Sequence, residues 1–457
     1  MTITIALSGD ANVNRRFSMC TDEQFLDLVE VFRDADVGIT HLETVITEYD
    51  GENVYPAAEA GGTWMRAPRF IADELAWGGF DAISQASNHA LDYSYGGLRS
   101  TWDALDDAGV AHAGAGENLG EARSPTYVDT ENGRVGLVSM TATFTPWSRA
   151  GEARSDMRGR PGVNPVRLYY EVDAETLESI KTLAKQFGWW ITKEGEEILI
   201  NRHGLHNTVQ RYVENEDVDG AEMTLNANDV AGNLRAVADA DNRADVAIAH
   251  LHTHEFAPDG DMTVPPACIV EFAHQCADEG ADVVVCQGSH APMRGIELYE
   301  GVPIFYDPGD FFFQSDSVER LPAEFYYQHH HDLDTHPLEA TPSEGFAARG
   351  LVYPWGEPAS DATESASFGT EETLLHPSEG MFVGPGCTVP VCTFGEDGVE
   401  RIEIYPATWL SSPESYVGIP KRATGEQATE ILTYLDDLSS AFGTSIDIEG
   451  EVGVVSL

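Results

Sequence analysis

The chain has 457 residues, enough for one large domain with insertions or for two domains around sizeable cores. Its 77 acidic and 26 basic residues give a formal net charge of −51, spread evenly, which reads as a surface adapted to strong salt. The lack of clustered Lys and Arg argues against nucleic acid as a partner, a hydrophobic content of 42% argues against disorder, and no run of 18 apolar residues offers a membrane segment.

Strands and helices alternate from the start. "TITIALS" (Thr2–Ser8) is a strand, and "TDEQFLDLVEVFRDA" is a helix with Thr21 as its expected N-cap and Phe25, Leu28, Val29 and Phe32 on one face. "DVGITHLE" is a second strand, "APRFIADELAWGG" a helix, "FDAISQA" a third strand, "GGLRSTWDALDDAGV" a helix closed by Gly109, and "GRVGLVSM" a strand. A less regular region, about 145–220, reads as an insertion with a helix near Ala174–Phe187 and a hairpin in "WWITKEGEEILI". Alternation returns with helix Asn228–Ala240, strand "DVAIAHL", helix Pro266–Glu279, strand "ADVVVCQ" and two strands around Glu300 and Gly301.

Residues 1–317 thus form the expected core. Residues 318–381, rich in Pro, Gly, His and acid, read as an insertion or cover. "CTVPVCTFGEDGVERIEIYP", within 382–410, is a hairpin returning to the core, and 411–457 is a C-terminal extension with an amphipathic helix carrying Ile431, Leu435, Leu438 and Phe442. The cysteines (Cys20, Cys268, Cys276, Cys286, Cys387, Cys392) contain no CxxC pair and read as buried free thiols of a reducing compartment. With no leader-like segment before the first strand, the expectation is a cytoplasmic protein of a high-salt organism.

Repeated βα units imply a mostly parallel α/β sheet, where ligands gather beyond the carboxyl ends of the strands. The residues at those ends share one character. Asp10 follows the first strand, Glu43 ends the second, Asn88 and His89 follow the third, His252, His254 and Glu255 follow "DVAIAHL", and Gln287 and His290 follow "ADVVVC". Any one of them has an ordinary structural reading as a cap, an ion pair or a satisfied core histidine. Five strand ends delivering carboxylate, amide and imidazole to one edge favour a metal-centred site. Such ligands suit one or two divalent ions (Mn, Zn, Fe or Mg) and need no cysteine. A bridging carboxylate can hold two ions roughly 3.5–4 Å apart, the arrangement used in phosphoester hydrolysis. In that scheme Asn88 is a ligand, His89 protonates the leaving group, and Asp92 orients His89 or anchors the following helix.

The chain resembles the CapA-type capsule biosynthesis family, associated with poly-γ-glutamate synthesis and built on a calcineurin-like metallophosphatase fold. The resemblance runs in order through "SGDANVNR", "HLETVIT", "SNHALDYSYGGL", "HAGAGEN", "LHTHEF" and "GSHAPMRGIELYEGVPIFYDPGDFFFQ", with "CTFGEDGVERIEIYP" later. It implies a four-layer α/β/β/α sandwich with insertions, a metal set of Asp10, Glu43, Asn88, His252 and His290, and polyglutamate-synthesis partners. The chain departs from the metallophosphatase pattern at Asn12 and Gln287, where histidines are usual, at Glu43, where aspartate is usual, and at His254, where the family has glycine. Losing two imidazoles weakens one metal position.

Other features carry less. "HHHDLDTHP" (His329–Pro337) reads as a solvated segment, Arg294 and Arg158 as anion holders or surface ion-pair partners, and Trp189 and Trp190 as local packing. Two functions fit: a metal-dependent hydrolase of a small-molecule or polymer phosphoester, or a non-enzymatic polymer-assembly subunit that keeps the fold with a degenerate metal site. Oligomeric state is not readable from these residues.

Overall fold

The computed structural model describes residues 2–201, 210–256, 261–290, 293–314, 317–329, 333, 335–352, 385–396 and 398–457. Four parallel strands begin the first sheet: β1 (Ile3–Asn12), β2 (Val37–Leu42), β3 (Ala82–Ser84) and β4 (Ala111–Ala113). Parallel neighbours need crossovers, supplied by α1 (Glu23–Asp34), α2 (Phe70–Gly78) and α3 (Ser94–Ala108). Asp22 caps α1, its carboxylate accepting the Phe25 amide at 3.0 Å. The expected cap, Thr21, lies one residue too early to reach that amide.

The second sheet holds β5 (Thr126–Asp129), β6 (Arg134–Thr141), β7 (Val246–His252), β8 (Val283–Gln287), β9 (Arg294–Tyr299) and β10 (Val302–Asp307), in the order β9-β10-β8-β7-β6-β5. Its central strands β6, β7, β8 and β10 are parallel, with α4 (Ala227–Asp241) and α5 (Ala267–Asp278) as crossovers. The late hairpin, β11 (Cys387–Gly395) and β12 (Gly398–Trp409), enters the first sheet with β11 antiparallel to β1. Helix α6 (Gly425–Ser440) buries Ile431 and Leu435.

Strand residues alternate between two cores. Ile5, Leu7, Val37 and Ile39 of the first sheet share one core with Leu137, Val246, Ile248, Val283 and Val285 of the second. The first sheet's other face packs against Phe25, Leu28 and Phe32 of α1 and Leu75 of α2. The second sheet's other face packs against Val237 of α4 and Ile269 and Phe272 of α5. With both faces covered, the central strands are apolar throughout rather than alternating, as the continuous runs in the sequence require.

Residues 168–201 and 210–225 build a separate five-stranded sheet with a helix at Ala174–Gln186. The hairpin in "WWITKEGEEILI" is its outer pair, Trp190–Glu194 against Glu197–Asn201. Trp189 and Trp190 are not packed away as expected: they are 40% and 57% exposed, and the Trp189 ring meets Phe187, itself exposed, at 5.3 Å. In the 318–381 segment, Phe325 and Tyr326 join a cluster with Val45, Trp64 and Tyr93. His329 of the "HHHDLDTHP" stretch is buried rather than solvated, and 330–332 and 334 lie outside the described residues, as do 353–381.

Candidate metal centre

Asp10 lies inside β1 rather than after it as expected, beside a bulge where the β1–β2 register slips between Leu7 and Asp10. At Gly9 a Cβ would stand 2.0 Å from the Gly309 carbonyl oxygen, so only glycine lets the chain after β10 lie this close. The Phe311 amide donates to the Asp10 carbonyl at 2.8 Å, and Asp310 is thereby laid against Asp10. Gly288, at φ +103°, meets the imidazole of His252: a Cβ there would lie 2.5 Å from Cε1. Ser289 is tied to Asp307 through both its amide and its hydroxyl, and His290 follows with φ +49°, a left-handed conformation that this bracing sustains.

The strand ends meet. Asp10 Oδ1 lies 3.7 Å from His252 Nδ1 and 3.9 Å from His41 Nε2, and Asp10 Oδ2 lies 3.7 Å from His290 Nδ1. Glu43 Oε1 faces His252 Nε2 at 3.6 Å, His254 Nε2 at 3.7 Å and His290 Nε2 at 3.6 Å. Three overlapping sets can each hold a cation: Asp10 with His41 and His252, Glu43 with His254 and His290, and Asp10 with His290 and Asp310. Around them the amides act as braces. Asn12 donates to Glu43 Oε2 at 2.6 Å, Asn88 Oδ1 lies 2.8 Å from His252 Nε2, and Gln287 Nε2 lies 3.0 Å from His252 Nδ1. His89 Nδ1 is 2.6 Å from Asp92 Oδ2, which also accepts the Met65 amide at 2.7 Å.

Burial sets the electrostatics. It drives His41 and His252 well below the usual imidazole range, so both stay neutral and can offer lone pairs. Burial, then the Glu43 charge, raises the Asp10 carboxyl well above its ordinary value. At Glu43 burial opposes ionisation, yet His290 and His254 hold the carboxyl well below its range. At His290 burial is likewise outweighed, by Asp310 and Glu43, and the pKa rises. Burial works against a charged His89 as well, and Asp92 overcomes it. Burial also lifts the Asp92 carboxyl, whose short bond to His89 favours the protonated imidazole.

Among the described residues, six buried polar atoms of this cluster lack a hydrogen-bond partner: Asp10 Oδ1, Asn12 Oδ1, His41 Nε2, Glu43 Oε1, His254 Nε2 and Gln287 Oε1. Buried donors and acceptors are normally paired, and a hard or borderline cation would satisfy carboxylate, amide and imidazole donors alike. The residues fit a metal.

His41 and Asp310 escaped the sequence reading, while Glu255 and Arg294 stand apart from the three sets. Arg294 is 1% exposed and neither pairs at the surface nor opens toward the cluster. Its Nε and Nη2 donate to the carbonyls of Met262 and Glu255, bracing the chain after β7. Burial raises the Glu255 carboxyl. Arg158 is exposed.

A family model described as "Bacterial capsule synthesis protein PGA_cap" matches residues 4–315, the span that holds every residue of the cluster. The chain belongs to this family. Two uncharacterized proteins of Sinorhizobium fredii are each 31% identical to it over 465 residues, covering 99% of this chain and 93% of theirs. A protein of Mycobacterium tuberculosis named "probable polyglutamine synthesis accessory protein" is 31% identical over 229 residues, 49% of this chain and 43% of its own. No helix among the described residues is long and apolar enough to cross a membrane.

Proposed function

We propose that the chain is a metal-dependent hydrolase of a phosphoester-like bond, on a four-layer metallophosphatase-type core. The observation that carries this reading is the convergence of Asp10, His41, Glu43, His252, His254 and His290, with buried atoms left unpaired. The sheet-to-sheet core with helices on the outer faces supports the layering. The two imidazoles lost at Asn12 and Gln287 have counterparts in His41 and His254, so the pattern is rearranged rather than emptied.

Asp10, His41 and His252 would hold one divalent ion, and Glu43, His254 and His290 a second, with Asn88 as a further oxygen donor. A bound ion supplies Lewis acidity toward a phosphoryl oxygen and hydroxide near neutral pH. The chain itself does the rest. His89 presents Nε2, which has no partner among the described residues, as a proton donor to the leaving group, and Asp92 fixes its ring through Nδ1. Asn88 Oδ1 and Gln287 Nε2 face the two ring nitrogens of His252, and a bound ion would take the place of one of these contacts. Of the expected cover, Phe325 and Tyr326 pack against Val45, Trp64 and Tyr93 of this core, and the hairpin β11–β12 extends its first sheet.

A second reading has support in the name of the mycobacterial relative: an accessory subunit of polymer synthesis that binds metal without turnover. One experiment separates them. Metal per chain is measured by plasma mass spectrometry on protein purified in high salt without a tag or chelator, beside Asn88→Ala and His252→Ala, followed by turnover on a phosphoester panel. The hydrolase reading expects one or two ions and metal-dependent turnover, both reduced in the variants. Bound metal with no turnover favours the accessory subunit, and absence of stoichiometric metal in the parent after incubation with manganese or zinc overturns the hydrolase.

A further inference from the structure

Behind the centre, between the two sheets, lies a second layer of buried polar groups. Ser84 Oγ of β3 is 2.9 Å from His41 Nδ1 of β2, 3.0 Å from His250 Nδ1 of β7 and 2.9 Å from Ser139 Oγ of β6. All four residues are essentially closed to water. The three rings of His250, His41 and His252 lie parallel, with centroids 5.5 Å and 4.5 Å apart and interplanar angles of 6° and 3°.

The protons of this group can be counted. Ser139 Oγ accepts the Ala86 amide at 3.2 Å, and its remaining partner is Ser84 Oγ, so the Ser139 proton goes to Ser84. Ser84 then has one proton to give and one lone pair left, with two imidazole nitrogens to serve. It donates to one ring and accepts N–H from the other, so His41 and His250 take opposite tautomers. The far nitrogens decide which. Both Nε2 atoms are buried without a hydrogen-bond partner among the described residues, and that of His41 faces the cluster, 3.9 Å from Asp10 Oδ1. A ring that binds a cation through Nε2 must carry its proton on Nδ1.

We infer that Ser84 is a positioning residue for the metal centre: its hydroxyl accepts the Nδ1–H of His41, holds that tautomer, and leaves the Nε2 lone pair facing Asp10. The inference rests on the reading of the cluster as a cation site, and it names the group that makes His41 a ligand there. Outer hydrogen-bond partners of this kind are worth about 10–100-fold in metal affinity.

The test uses the full chain stripped of metal, with zinc as the probe and a chromophoric chelator in competition. Ser84→Ala is expected to bind zinc about 10–100-fold more weakly. Ser84→Thr, which keeps the hydroxyl, restores most of that loss. Unfolding midpoints of the metal-free proteins verify that the fold is intact. Long-range nitrogen–proton spectra of the zinc-loaded parent, with the His41 signal assigned by its loss in His41→Gln, read the tautomer without any change at Ser84. A proton on Nδ1 supports the inference, and a proton on Nε2 overturns it. Zinc bound equally well by the parent and Ser84→Ala overturns this inference alone, whereas a parent that binds no stoichiometric zinc overturns the cation site and this inference with it.

Discussion

His89 and Asp92 divide their work in a way that substitution can expose. Neither belongs to the three sets able to hold a cation, yet both are buried beside them. His89→Gln is therefore expected to lower kcat by about 10²–10⁴-fold on whichever phosphoester the parent cleaves, with metal content unchanged. Loss of metal in that variant would make His89 part of the binding set instead. A second residue-scale prediction concerns Asp282, whose carboxyl burial pushes up to about 6 from 3.8 while it accepts the Ala247 amide. A carboxyl raised in the folded state keeps a proton that the unfolded chain has already lost. Stability therefore falls as pH rises from about 4 to about 6, and the penalty is complete above that window. Because the group is partly open to water, the penalty is roughly 1–2 kcal/mol. Asp282→Asn keeps an acceptor for the amide and removes the penalty. Urea unfolding should find it more stable by that amount at pH 7.5, with the gap closing toward pH 4.5; a gap independent of pH contradicts the assignment.

At the scale of elements, the centre depends on a contact between chain segments 300 residues apart. With a Cβ 2.0 Å from the Gly309 carbonyl oxygen, Gly9→Ala must push the Asp310 turn away from Asp10. The expected cost is roughly 3 kcal/mol of stability, read by urea unfolding, with weaker metal binding, since this contact seats Asp310. A variant with parental stability and parental metal affinity would show that the turn is held elsewhere. The same contact explains what was legible beforehand. Crossover strands announce themselves by apolar runs and capped helices, and their carboxyl ends could be read for Asp10, Glu43, Asn88, His252 and His290. His41 lies inside β2 rather than beyond it. Its signal is the two-residue period that puts it on the same face as Glu43, a position that a pattern of strand ends does not mark. Asp310 sits in a Pro-Gly turn whose approach to Asp10 is set by packing of distant glycines, which no local pattern reports. The tautomer-setting group around Ser84 joins four strands of two sheets and was equally invisible.

For the whole molecule, the question is what balances a formal charge of −51. Several of the described ion pairs are exposed on both sides, such as Arg99 with Glu117 and Arg134 with Asp129, and each such pair is worth about 0–1 kcal/mol and weakens as salt rises. Self-repulsion of the excess acid acts in the other direction, because screening relieves it as the Debye length falls from about 10 Å at 0.1 M to about 3 Å at 1 M. Few pairs oppose many unpaired acids, so relief of repulsion should win. The unfolding midpoint is expected to rise by several degrees between 0.1 M and 2 M KCl, at fixed divalent ion and pH. Most of that rise should come below 1 M, where the screening length changes fastest, and an uncharged osmolyte at matched osmolality should not reproduce it. A midpoint that is flat or falling with KCl would mean that the ion pairs dominate and that the acidic surface is not an adaptation to salt. A rise that continues linearly past 1 M would instead assign the stabilisation to strengthened burial of the apolar cores.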